Sequence, residues 1–256
     1  MAVLGILTCE IMELEIASLV ALDTDLTKIT VVDDHKAQHL ISSIESQRVH
    51  TVYRIPHISA FDPENSGDEA LIRVLELGLH RRRDLLKEKL EQESRQMDRY
   101  IHCLFLGYGQ CGGVLADPAE TVDVTCPVFY PRFAGKPVAD CIGICLGGDE
   151  EYYREQRQVA GTYFLTPGWC RHWKDMFGSL DTAFNETMST KLCRRILRGY
   201  KRLLLVHTPV MASGDMRSFS QELIEMSDLE VQEREGTLSL LEQGYREAKK
   251  YLGTGR

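Results

Sequence analysis

No apolar run in this chain approaches the roughly 20 residues that a membrane-spanning helix needs. The N-terminus also lacks the basic start and small-residue cleavage site of a secretory signal. A cytoplasmic protein with no membrane partner is therefore expected. Excess positive charge is missing too: 30 Lys and Arg against 38 Asp and Glu give a net charge of -8. Without a basic stripe interleaved with aromatics there is no footprint for phosphate-backbone binding, and nucleic acid is not expected as a partner. None of the eight cysteines stands in a C-x-x-C pair, which excludes a zinc ribbon and a thioredoxin motif. P-loop, G-x-S-x-G and H-E-x-x-H sequences are absent, which removes the commonest NTPase and hydrolase readings.

What is present alternates. "AVLGILTCEIMELEIASLVA" reads as a buried strand through Leu7, a turn at Thr8 and Cys9, and an amphipathic helix with Ile11, Leu14 and Ile16 or Ala17 turned inward. "KITVVDD" is a second strand, "KAQHLISSIES" a helix and "HTVYRIP" another strand. After the polar turn cluster "FDPENSGDE", both "ALIRVLELGLH" and "RDLLKEKLEQESRQM" carry helical spacing, with Gly78 as a break. Further strands are read in "YIHCLFL", "PVFYPRF", "GTYFLTPGW" and "KRLLLVH". Helices are read in "DCIGICLGG", "DEEYYREQRQ", "MRSFSQELIEM" and "GTLSLLEQGYREAKKYL". Such alternation predicts an α/β protein, mostly parallel sheet with helical cover. The expected organisation is one compact chain. Its segments 1–66, 67–198 and 199–256 could be three related Rossmann-like units around a central site, with first strands starting near residues 2, 100 and 201.

In "LGYGQCGGV", Gly107, Gly109 and Gly112 have the spacing of a dinucleotide fingerprint, so a cofactor-binding role is one reading of them. That fingerprint needs a long helix opening on its third glycine, and Pro118 leaves little room for one. The alternative is that the glycines shape a turn that exposes Cys111, just past the carboxyl end of a buried strand, where open α/β sheets bind ligands. Cys9 occupies the same place after the first strand. Cys141 opens a helix with Asp140 before it, a position that favours thiolate. Three thiolates with one open position suit an iron–sulfur cluster or another soft metal. Cys145 is the reserve ligand, and Cys103, Cys126, Cys170 and Cys193 are expected to pack. His207, at the end of "KRLLLVH", is a candidate fourth ligand or proton donor, and His80, at a helix start, is a second candidate. The rigid turn "TPGW" could set Trp169 over a ligand or cofactor.

Taken together, "GYGQCGG", "DCIGICLGG", "GTYFLTPGW" and "GLHRRRDLL" resemble the family known as domain of unknown function 1638, over nearly the whole chain. The resemblance implies an α/β protein of anaerobic bacteria or methanogenic archaea, often encoded near corrinoid-dependent methyltransferases. The family's cysteine positions map onto Cys9, Cys111 and Cys141, and its histidine at the helix start onto His80. Its usual histidine before Asp-Cys is Ala139 in this chain.

The leading functional expectation is a cysteine-ligated metal or iron–sulfur protein of anaerobic one-carbon or methyl-transfer metabolism, either catalytic or engaged in cofactor handling. The alternative is a metal-free accessory protein that binds a small molecule or a corrinoid and serves corrinoid methyltransferase proteins.

Overall fold

The computed structural model describes residues 2–47, 51–64, 67–178 and 186–254. In chain order the elements of the first part are β1 (Val3–Cys9), α1 (Glu13–Leu22), β2 (Leu26–Val32), α2 (Gln38–Gln47), β3 (Tyr53–Ile55), β4 (Asp68–Leu75), α3 (Arg83–Met97) and β5 (Cys103–Gly107). Then come α4 (Pro118–Thr121), β6 (Val128–Phe129), β7 (Arg132–Phe133), β8 (Lys136–Pro137), α5 (Cys141–Leu146), α6 (Asp149–Gln158), β9 (Thr162–Leu165) and α7 (Pro167–Gly178). The last are α8 (Glu186–Leu197), β10 (Arg202–His207), α9 (Ser213–Ser227), β11 (Glu230–Glu235) and α10 (Ser239–Thr254). Contacts divide the chain into two units, Met1–Cys141 with Ser239–Arg256, and Ile142–Leu238. Among the described residues no helix is long and apolar enough to cross a membrane.

The first unit carries a six-stranded sheet in the order β3-β2-β4-β1-β5-β6, with every neighbouring pair parallel. Alternation of side chains across the pleat sets up two layers of cover. Leu7, Leu71, Leu75, Leu104 and Leu106 share a core with Leu86, Leu90 and Met97 of α3. On the other face Phe105 packs edge-on against Tyr245 of α10, and the Tyr245 hydroxyl donates to Asp23 at the end of α1 over 2.7 Å. The strands beginning at Val3 and Cys103 lie side by side here, while the strand beginning at Arg202 is the middle of the other sheet.

One expectation fails in this unit. The stretch "ALIRVLELGLH" has helical spacing, yet residues Asp68–Leu75 form strand β4, between β2 and β1. Ala70, Leu71, Ile72 and Val74 are fully buried, so the strand has no polar face to reveal a period of two. A short apolar run of this kind reads alike as strand or helix until its partners are known. Gly78, with φ of +78°, does break the chain, before a 3₁₀ turn over Leu79–Arg81.

The sheet order locates a switch point. From β1 the chain passes through α1 to β2 on one side, whereas from β5 it passes to β6 on the other. Diverging connections open a crevice at the carboxyl ends of β1 and β5, the usual ligand position in open parallel sheets.

The second unit is built on the parallel sheet β11-β10-β9. Helices α7, α8 and α9 pack on one another. Helix α6 is fastened by charge: Arg202, 4% exposed, bonds Glu155 at 2.7 Å and the Thr162 hydroxyl at 2.8 Å. Arg234 pairs with both Glu151 and Glu155. Strand β11, "EVQERE", is a polar edge strand for which the sequence carries no apolar alternation.

Candidate functional site

Cys9 is the last residue of β1, and its neighbour Thr8 is in register with Gly107, the last residue of β5. The chain then turns through Tyr108, Gly109 and Gln110 to Cys111, so the two cysteines come to the switch point from adjacent parallel strands. Cys111 has φ of +47°, and Gly112 and Gly113 follow at +72° and +90°. A non-glycine residue in the left-handed region is strained, and such strain persists where the surroundings fix it, often at functional positions.

Both thiols are held as thiols by their surroundings. Burial pushes Cys9 up to about 12, against hydrogen bonds from the backbone N–H groups of Ile11 and Met12, with Glu10 and Glu13 acting in the raising direction. Cys111 is pushed up further, by burial, by Cys9 and by Asp140, against a backbone hydrogen bond at Gly109. The two sulfurs therefore feel each other, and the charged side chains acting on them are acids. Burial in such a place disfavours the thiolate form of both cysteines unless a cation pairs with it.

Two elements keep the turn in place. Gln110 N–H donates to the Val138 carbonyl at 2.7 Å, and Cys111 N–H to that of Ala139 at 3.2 Å. These bonds lay residues 138–141 along the turn, which brings the start of α5 and its first residue, Cys141, into the same part of the unit. The glycines have separate tasks. A Cβ on Gly107 would meet the Thr8 hydroxyl at 2.7 Å, and one on Gly109 would meet Asp140 backbone atoms at 2.7 to 2.8 Å. Gly112 lies under the Arg83 guanidinium, 3.2 Å from where its Cβ would stand. After Gly112 the chain makes further turns and then the four-residue α4, so no long helix opens on the third glycine.

A residue that sequence reasoning passes over completes the crevice. Tyr108 is 5% exposed, and its hydroxyl has no hydrogen-bond partner. Burial, then Cys9, Cys111 and Glu10, hold this phenol well above its ordinary value, with Arg73 acting in the opposite direction. Its letter stands inside "GYGQCGG", yet only the fold shows that the ring turns inward. Glu10 caps the chain nearby, its carboxylate accepting Leu77 N–H at 2.5 Å.

The other candidates fall elsewhere. Among the described residues no group of three His, Cys, Asp or Glu side chains that could hold a metal ion is found. His80 is exposed in the Leu79–Arg81 turn. Cys145 is buried, as are Cys103, Cys170 and Cys193, while Cys126 is partly buried. His207 and Trp169 belong to the second unit. Trp169 stands in the first turn of α7, edge-on to Tyr163, and its indole N–H is buried without a partner.

No curated protein matches the chain. A family match covers residues 74–245, and so takes in the Cys111 turn, the Asp140-Cys141 pair and the "TPGW" turn, with Cys9 lying before it. Since that match spans more than half of the 256 residues, the chain belongs to the family described as protein of unknown function, DUF1638.

Proposed function

We propose that the protein binds a soft metal ion or an iron–sulfur cluster at the crevice between β1 and β5, anchored by Cys9 and Cys111. The observation that carries this reading is that Cys9, at the end of β1, and Cys111, just past the end of the neighbouring β5, pack against the same core although they lie about a hundred residues apart in sequence. Donor chemistry fits: thiolates select soft metals, and backbone N–H groups of the kind that reach Cys9 stabilise metal-bound sulfur. Two protein thiols leave coordination positions free for Cys141 or for a small-molecule ligand. When bound, such a centre supplies Lewis-acid or electron-transfer chemistry.

The chain's own residues have definite parts. Cys9 and Cys111 lose their protons on binding, and the N–H groups of Ile11 and Met12 meet the charge left on the Cys9 sulfur. Gly109 lets residues 138–141 approach, which fixes the Cys111 turn. On this reading the centre serves anaerobic one-carbon or methyl-transfer metabolism, in catalysis or cofactor handling, a role for which the family resemblance is the support. A second reading, a metal-free protein that binds a small molecule or corrinoid for a methyltransferase system, is favoured by the unpartnered indole of Trp169.

Purification without oxygen, with visible absorption and analysis of iron, nickel, cobalt, zinc and sulfide, tests the proposal. Cys9→Ala and Cys111→Ala are expected to lose bound metal, Cys141→Ala to lower it, and Cys103→Ala to retain it. Equal metal content in all four variants, or a colourless wild type that stays metal-free after reconstitution, sinks the metal reading and leaves the second one.

A further inference from the structure

Charge of one sign gathers on α8, a helix that the two-thiol crevice does not use. None of the 38 Asp and Glu residues lies between positions 187 and 214, a stretch that holds Lys191, Arg194, Arg195, Arg198, Lys201 and Arg202. Arg202 is buried and has its acid in Glu155. Lys191, Arg194, Arg195 and Arg198 are exposed, and none of these four side chains has a hydrogen bond or an ion pair with a described residue. Together they line a cleft of about 490 Å³.

Helix geometry brings the four together. Residues three and four apart are surface neighbours, so positions 191, 194, 195 and 198 fall on one face. Arg198 continues the last turn, its N–H donating to the Arg194 carbonyl at 3.1 Å. Cys193 and Leu197, 2% and 1% exposed, take the opposite face and fix α8 with its cations outward. On other helices exposed cations are interleaved with acids: Lys87 has Glu91 in α3, Arg154 has Glu151 in α6, and Arg246 has Glu242 in α10. The negative end of the helix dipole favours cations in the last turn, which suits Arg194 and Arg195. It does not account for Lys191, or for two like-charge pairs four residues apart, Lys191 with Arg195 and Arg194 with Arg198, which weaken a helix left without a counter-ion.

A bound anion removes that repulsion, and the residue types select its class. Arginine forks match phosphate oxygens two at a time, and three of the four cations are arginines. From position 191 to 198 the helix rises only roughly 10 Å, which suits a short chain of phosphates. A long polyanion would run off this face onto a chain whose net charge is -8. No aromatic ring stands among the four cations for a base to stack on, so single-stranded nucleic acid fits less well. We propose that this face of α8 binds a small compound carrying two or more linked phosphates, with Arg194, Arg195 and Arg198 as forks on its oxygens and Lys191 as a further cation. The inference does not depend on the metal reading, since every group it uses lies in Ile142–Leu238.

The full chain is titrated by calorimetry, without divalent cations, with inorganic phosphate, pyrophosphate, tripolyphosphate, adenosine triphosphate and citrate. Saturable binding of tripolyphosphate is expected, tighter than that of pyrophosphate or phosphate and weakened by salt. Replacing Arg194→Gln together with Arg198→Gln is expected to weaken it at least about tenfold. Lys191→Gln with Arg195→Gln, a second variant should the first not fold, is expected to do the same, and Arg246→Gln to change nothing. Equal affinity for adenosine triphosphate and tripolyphosphate assigns recognition to the phosphates alone, whereas tighter binding of the nucleotide adds the nucleoside to it. The proposal is overturned if neither pyrophosphate nor tripolyphosphate saturates, if citrate binds as tightly as tripolyphosphate, or if folded variants bind like wild type. Binding of a single-stranded RNA oligomer that tripolyphosphate does not displace would overturn it as well.

Discussion

Replacing Gly109 by alanine tests whether the glycines of "GYGQCGG" serve the Cys111 turn. The new Cβ would stand 2.7 to 2.8 Å from the N, Cα and C atoms of Asp140. Backbone cannot rotate away as a flexible side chain can, so the two segments must part by roughly 1 Å to regain ordinary carbon contact. The hydrogen bond from Cys111 to Ala139, already 3.2 Å long, would then pass beyond bonding distance. Overpacking costs roughly 1–3 kcal/mol and the lost bond about 1 kcal/mol. Stiffening the unfolded chain returns roughly 0.4–1 kcal/mol. The net is a destabilisation of about 1–4 kcal/mol. Gly113→Ala is the comparison: nothing lies within 4 Å of its Cβ, but its φ of +90° makes the change one of backbone strain without displacement of residues 138–141. Urea unfolding followed by circular dichroism, with metal content after anaerobic reconstitution, separates the two. Gly109→Ala should lose both stability and metal, whereas Gly113→Ala should lose stability and keep metal. A Gly109→Ala protein with the wild-type unfolding midpoint and full metal content would refute the account of the turn.

Tyr108→Phe should stabilise the metal-free protein by about 1 kcal/mol, because it removes a buried hydroxyl that has no partner; a thermal melt showing a fall in Tm would contradict this. Glu155→Ala should cost roughly 3–5 kcal/mol, since it leaves Arg202 buried at 4% exposure without its acid; a loss under about 1 kcal/mol in denaturant unfolding would show that Gln232 and Thr162 suffice. For Asp34, burial raises the carboxyl, but the hydrogen bonds and charges of Arg73 and Lys36 outweigh it and hold the group below its ordinary value. A carboxyl lowered on folding adds stability above the unfolded pKa, about 4, and loses it as pH falls through the folded value. Asp34→Asn should therefore flatten the acid limb of stability against pH below about 4, and an unchanged limb in pH-dependent unfolding would place the acid sensitivity elsewhere.

Much of the first unit can be read from residue order. Strand β1 is legible because its apolar run ends at a turn and passes at once into a helix, and the same logic finds β5 and β10. Strand β4 is not legible: burial on both faces erases its period, and what makes it a strand is hydrogen bonding to β1 and β2. Strand β11 is hidden for the opposite reason, being polar on both faces at a sheet edge.

The chain's letters determine by themselves which side chains stand at strand ends, because a strand followed by a turn is a local property. They place Cys9, Cys111 and His207 at such ends. Which of these share a crevice depends on strand order, a matter of non-local pairing. That order sets β1 beside β5 and brings Cys9 to Cys111, and it gives His207 to a different sheet. The inward turn of Tyr108 and the close approach of Asp140 to Gly109 are likewise decisions of tertiary packing, since each needs a partner segment tens of residues away before it has any physical meaning.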